Sequence, residues 1–151
     1  MTNAYESYLE SKVLSADPVE LITIMYSAAL DAVSGARVAL RNGDIAQRSR
    51  EITKASEILN ELALALDHER GGEISKTLVE LYDYMLHRLI EANTKQEEPP
   101  LVEVAGLLAT MKEGWETCRA SLQPAQPSAL HYGGGYDVDE TTEYAAVSYT
   151  A

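Results

Sequence analysis

Apolar residues recur at spacings of three and four in four successive stretches of this chain, and each stretch is bracketed by residues that start or stop helices. That spacing places side chains on one face of an α-helix and is incompatible with the alternation of a strand. Asp17 is placed to cap the first helix, with Pro18 in its first position and Glu20 set for a capping box, and Asn42-Gly43 stops it after about Arg41. Asp44 and Gln47 repeat the arrangement for a second helix whose face is Ile52, Ala55, Leu59, Leu62 and Leu66, ending at Gly71-Gly72. In the third, Glu73 occupies the first turn, where the helix dipole favours a negative charge. Its inner stripe is Ile74, Leu78, Leu81, Met85, Leu89 and Ala92. After a connection from Asn93 to Glu98, Pro99-Pro100 opens a fourth helix carrying Leu101, Val104, Leu108, Met111, Trp115, Cys118 and Leu122.

Long helices with short connections must fold back on their neighbours, so the predicted fold is all-α: an antiparallel up-down four-helix bundle over residues 1–122, preceded by a short N-terminal capping segment. No alternating β-branched run competes with it. For 151 residues one domain suffices. From Gln123 onward there is no Lys or Arg and no helical period, only Pro124, Pro127, Gly133 to Gly135 and isolated tyrosines among Asp137, Asp139, Glu140 and Glu143. Residues 123–151 are therefore expected to be a disordered acidic tail. Tyr132, Tyr136, Tyr144 and Tyr149 in it read either as parts of a solvated linker or as interaction stickers.

A net charge of −12 with no basic stripe excludes a nucleic-acid partner. It suits neutral or basic partners, or simply a well-solvated surface. Nine Tyr, one Trp and no Phe favour half-buried and interface positions over a dry core. The opening MTNAYESYLESK lacks the basic start and apolar run of a secretory signal, and no apolar run approaches the length of a membrane span, so a cytoplasmic protein without stable membrane insertion is expected. Cys118 has no second cysteine to pair with and, on an apolar stripe, is expected to be a buried, inert thiol. Di-metal bundle enzymes need Glu-x-x-His pairs, but Ala65, Tyr84 and Ser128 stand three residues before His68, His87 and His131. His87, beside Arg88, reads as a surface or boundary side chain. With no phosphate loop, nucleophile elbow or zinc-spaced cysteine set, no enzyme, catalytic residue, metal or cofactor is expected.

The first helix is more apolar than a bundle position requires. Between Val19 and Val33 its only polar residues are Glu20, Thr23, Ser27 and Asp31. Ile22, Met25, Ala29 and Ala32 already suffice for an inner stripe, leaving Leu21, Ile24 and Ala28 on one side and Tyr26, Leu30 and Val33 on the other. The third helix adds Tyr82, Tyr84, Leu86 and Ile90, and the fourth adds Val102, Ala105, Gly106 and Ala109, small enough for another backbone to come close. Two explanations stand: a wide face covered by the chain itself, or a groove that receives an amphipathic helix from a partner. Tyr5, Tyr8, Leu9, Val13 and Leu14 form a short apolar segment expected to lie on the bundle, either as a permanent strap or as a groove occupant that a partner displaces.

The stretch Leu66 to Asn93 carries a recognisable pattern: the Gly71-Gly72 break followed by Glu73-Ile74, the run LYDYM from Leu81 to Met85, and the ending Glu91-Ala92-Asn93. It resembles the signature of the flagellin secretion chaperones, the FliS family. Upstream, Ser15-Ala16-Asp17-Pro18 is similar to that family's step before its first long helix, and the resemblance covers roughly Tyr5 to Leu122. It implies a cytoplasmic helical bundle that holds newly made flagellin by its disordered C-terminal region, prevents premature polymerisation and assists delivery to the export gate. The N-terminal segment belongs to the client-binding region in that family. Tyr5 is similar to a family tyrosine, and Ile22, Ile24, Met25 and Tyr26 match its first-helix motif, whereas Ser27-Ala28-Ala29 stands where the family commonly has Asp-Gly-Ala. The expected flagellin-binding set is Tyr5, Tyr8, Leu9, Val13, Leu14, Leu21, Ile24, Tyr26, Tyr82 and Tyr84. Expected partners are the flagellin C-terminal segment, then the export gate and a regulatory antagonist, with the protein itself a monomer. The alternative is a non-enzymatic helical adaptor or regulatory bundle whose apolar strip meets a different amphipathic helix or a second copy of the chain.

Overall fold

Three aspartates define where three of the four long helices begin. In the computed structural model, which describes residues 4–15 and 17–122, the helices are α1 (Ala4–Ser15), α2 (Pro18–Arg41), α3 (Ile45–Leu64), α4 (His68–Lys95) and α5 (Pro99–Leu122). The tail expected at 123–151 lies outside the described residues, as does the side chain of Val13. Asp17 Oδ1 accepts from the Glu20 N–H at 2.7 Å, and Asp44 Oδ1 accepts from the Gln47 N–H at 3.0 Å. Each satisfies a donor that the helix start leaves unpaired. The reciprocal halves of the two boxes are put to other use: the Glu20 carboxylate receives Arg119, and the Gln47 amide bonds Glu51 and Arg50.

The junction of α3 and α4 differs from the sequence expectation. α3 stops at Ala65 rather than at the glycine pair, and Asp67 caps α4 by accepting from the N–H groups of Glu69 and Arg70, both at 3.1 Å. Gly72 then breaks the helical geometry from within, at φ 51° and ψ −122°, a conformation closed to residues with a Cβ. The kink sets the first turn of α4 apart from the rest. Ile74, expected inside, is 71% exposed, and Ser75 is buried in its stead, donating to the Asp67 carbonyl at 3.2 Å.

Side-chain bonds between helix ends give the pairing. Arg37 and Arg41, late in α2, hold Glu98 at the mouth of α5, while Arg119, late in α5, reaches Asp17 and Glu20 at the start of α2, so these two helices run antiparallel. Arg48, early in α3, bonds Asn93, late in α4, and that pair is antiparallel too. The closest helix approach is between α2 and α3. Alanine makes it possible: Ala29, Ala32, Ala36 and Ala39 are all buried on α2, and at Gly35 even a Cβ would come within 2.9 Å of the Glu51 side chain.

The core gathers Tyr26, Val33, Ile52, Leu59, Leu62, Tyr82, Met85, Leu89, Leu101, Val104 and Leu108. Most of the expected stripes on α3, α4 and α5 are inside. On α2 the stripe is rotated, with Tyr26 and Val33 at its centre and Ile22 and Met25 half-buried beside it. Tyr26 on this rotated stripe turns toward α4 and α5, where Tyr82 and Trp115 bond its hydroxyl. Cys118 is a further correction: it is exposed, beyond the point where α5 has half-buried Met111 and Trp115. α2 is also long and apolar enough overall to cross a membrane by length and composition, although polar residues interrupt every apolar run. It is used here as a packed helix, with Tyr26, Ala29 and Val33 in the core.

Candidate functional site

Two of the ten expected binding residues belong to the interior. Tyr26 and Tyr82 are fully buried, and their hydroxyls lie 2.5 Å apart, with Trp115 Nε1 donating to the Tyr26 hydroxyl at 3.3 Å. Both phenols are pushed above the ordinary tyrosine range, first by burial, and for Tyr82 then by the bond to Tyr26. A buried hydroxyl without a partner is costly, so this chain of three polar groups fixes how α2, α4 and α5 meet. Tyr26 and Tyr82 therefore shape the framework and present no surface to a partner, a correction to the sequence expectation. Among the described residues, no buried side-chain nitrogen or oxygen lacks a hydrogen bond.

The remaining candidates fall on three elements. On α1, Tyr5, Tyr8 and Leu14 expose 61, 59 and 82% of their surface, and only Leu9 among the described candidates is half-buried. The expected capping segment is thus a helix that leaves most of its apolar side chains to solvent. Lys12 sits 5.8 Å from the Tyr8 ring centroid, a cation–π contact along that helix. On α2, Leu21, Ile24 and Ala28 are half-buried along one edge. On α4, Tyr84 is 44% exposed.

Around Tyr84 the surface is organised by charge. The Tyr84 hydroxyl donates to Glu103 Oε2 at 2.7 Å, and Arg88 Nε donates to Glu103 Oε1 at 2.6 Å. Arg88 also bonds Glu91, which accepts from Lys95 Nζ at 3.0 Å. The Tyr84 hydroxyl and the Arg88 guanidinium hold the Glu103 carboxyl below the ordinary carboxylate range, and the bond to Glu103 raises the Tyr84 phenol. Next to this network, Val102, Gly106 and Ala109 line the exposed face of α5. Ile90 is exposed farther along α4.

Sequence periodicity does not reveal Glu103, Arg88 or the exposed Leu64 and Ile74 at the kinked end of the bundle. For Glu103 the available signal was Tyr84 and Arg88 one turn apart on a helix facing a neighbour that carries a carboxylate. An open recess of about 400 Å³ lies on α3 among Ser49, Arg50, Thr53, Lys54 and Glu57, none of them a candidate. No group of three or more His, Cys, Asp or Glu suited to a metal occurs among the described residues. The side chains at the surface thus offer apolar contact framed by carboxylates.

Known proteins match this chain in sequence along nearly the whole helical part. The family model described as "Flagellar protein FliS" matches residues 1–122. The chain is 40% identical over 121 residues to the flagellar secretion chaperone FliS of Salmonella typhimurium, spanning 78% of this chain and 90% of that protein. It is 40% identical over 108 residues to the flagellar secretion chaperone FliSB of Pseudomonas aeruginosa, with 72% and 86% covered. Against FliS of Bacillus subtilis the identity is 32% over 114 residues, with 76% and 84% covered. With a match that runs from the first residue to the end of α5, and relatives covered over most of their length, this chain belongs to the FliS family of flagellar proteins.

Proposed function

We propose that this protein is a cytoplasmic flagellar secretion chaperone that binds the disordered C-terminal region of flagellin before export. The observation that carries the reading, beside the family, is the set of apolar side chains left in solvent on α1 and on the outer faces of α4 and α5: Tyr5, Tyr8, Leu14, Tyr84, Ile90 and Val102. A client that cannot bury its own apolar stripe orders as helical pieces against such a surface. Coupled folding and binding of this kind buries on the order of 1,000 to 3,000 Å² and loses several kcal/mol to ordering, which makes the complex firm yet reversible. Covering the stripe stops one flagellin from pairing with the next. No bond is made or broken, so neither a catalytic group nor a cofactor is needed, and handover to the export gate or displacement by an antagonist can be driven by the next binding event.

α1 takes part directly in this reading. A helix of this length is marginal alone in water, and its exposed tyrosines gain cover when a client lies between it and the bundle. Leu21, Ile24 and Ala28 add a half-buried apolar edge on α2. Isothermal titration of the protein with the host's flagellin, whole and lacking its last helical segment, tests the proposal. One-to-one binding that disappears with the truncation is expected; equal binding to both forms would sink it.

A further inference from the structure

Tyr84 is exposed, yet its hydroxyl is bonded. Its hydroxyl is bound by Glu103 Oε2, while Glu103 Oε1 is occupied by Arg88, and Arg88 is itself tied to Glu91 and through it to Lys95. Hydrogen bonds to an ionised acceptor are the stronger kind, and a carboxylate with both oxygens engaged from two directions must break a bond to rotate. The ring of a surface tyrosine ordinarily samples several rotamers. Here one orientation is selected before any partner arrives.

A side chain already fixed in its bound orientation gives up little freedom on binding. Tyrosine is also among the side chains that most often anchor interfaces. From these contacts we infer that Glu103 is a positioning residue for client binding: it holds the Tyr84 ring in the orientation that the apolar face of the flagellin segment meets. The inference rests on the function proposed above. The two oxygens of Glu103 separate its tasks. Oε1, with Arg88, fastens α5 to α4; Oε2, with Tyr84, orients the ring.

That separation makes the idea testable with the full chain and full-length flagellin as the titrant. Glu103→Ala is expected to weaken binding about three- to tenfold, the range that freezing one side chain corresponds to. Glu103→Gln, which keeps an oxygen for the Tyr84 hydroxyl, is expected to restore most of the affinity. In a Tyr84→Phe background, Glu103→Ala is expected to have no further effect on affinity, although both lower the melting temperature to their own extents. Affinity unchanged in Glu103→Ala overturns the inference. So does an equal loss on adding Glu103→Ala to the wild type and to the Tyr84→Phe variant, which would show that Glu103 acts only by fastening the helices. The proposed function fails separately, through absence of flagellin binding by the wild-type protein.

Discussion

The hydroxyl of Tyr26 meets that of Tyr82 at 2.5 Å in the middle of the bundle, joining the first long helix to the third through the only polar atoms those rings possess. Removing the Tyr26 hydroxyl strands that of Tyr82, and removing the Tyr82 hydroxyl leaves Tyr26 with only the bond from Trp115. Tyr82→Phe should cost about 1–3 kcal/mol in urea unfolding, the penalty of a buried polar group losing its partner. The double change to phenylalanine should cost less than the sum of the two singles, because the bond the two hydroxyls share is lost only once, while Trp115 Nε1 loses its acceptor in both the Tyr26 single and the double.

The same pair makes a prediction about alkali. Both phenols have folded pKa values raised above those of the unfolded chain, chiefly by burial. A group shifted upward contributes stability that is intact below the unfolded value and drains away as pH climbs past it, here from about pH 10. Thermal melts should therefore fall more steeply above that pH in the wild type than in the double phenylalanine variant. Parallel curves would contradict the assignment.

Glu98 governs the acid side. Its carboxyl is held below the ordinary range, first by the bond from Arg41 and next by that from Arg37. A lowered carboxylate contributes stability that is present above the unfolded pKa and is lost as pH falls through the folded one. Melting temperatures of wild type and Glu98→Gln should differ at neutral pH and converge below about pH 4. The gap should also narrow in high salt, since these groups are partly solvated.

Three glycines should respond differently to alanine. At Gly106 an added Cβ meets nothing within 4 Å and φ is helical, so Gly106→Ala should stabilise α5 by about 1 kcal/mol. Gly72 has equal room but φ +51°, and alanine there should destabilise by roughly 1–2 kcal/mol. Gly35→Ala should fall between them, since the Cβ would press on the flexible end of Glu51. Chemical denaturation of the three variants checks the order.

On the binding side, Ile24→Asp places a charge on the half-buried edge of α2 while its neighbours Tyr26 and Ala29 keep the core. Circular dichroism should stay helical, and affinity for the flagellin C-terminal segment should drop about tenfold or more, equivalent to roughly 1.4 kcal/mol. Unchanged affinity would remove that edge from the contact surface.

Helix starts at Asp17, Asp44 and Pro99 are legible in the residues because capping is local chemistry, complete within four positions. The α4 start is hidden by Gly71-Gly72, which read as a stop; the four-residue step from Ile74 to Leu78 places Ile74 inside, and that spacing carries no information on whether a neighbouring helix reaches the first turn after the kink. Tyr26 and Tyr82 are misread for a different reason. A phenol hydroxyl suggests a wet position unless its partner is known, and that partner lies 56 residues away. Exposure of Tyr5, Tyr8 and Tyr84 agrees with aromatic content that is almost all tyrosine, whereas the Glu103 network depends on the rotation of α5 against α4, which no single helix encodes.

The alanine-lined contact between α2 and α3 has a consequence for how the protein can diversify. A seam built from the smallest side chains has nothing left to trim and no room to enlarge, so sequence drift along it is confined to exchanges among residues of that size. Adaptation to a different flagellin would fall instead to the exposed tyrosines of α1 and to α4 and α5, which carry larger side chains and a carboxylate whose relocation would re-aim an aromatic ring.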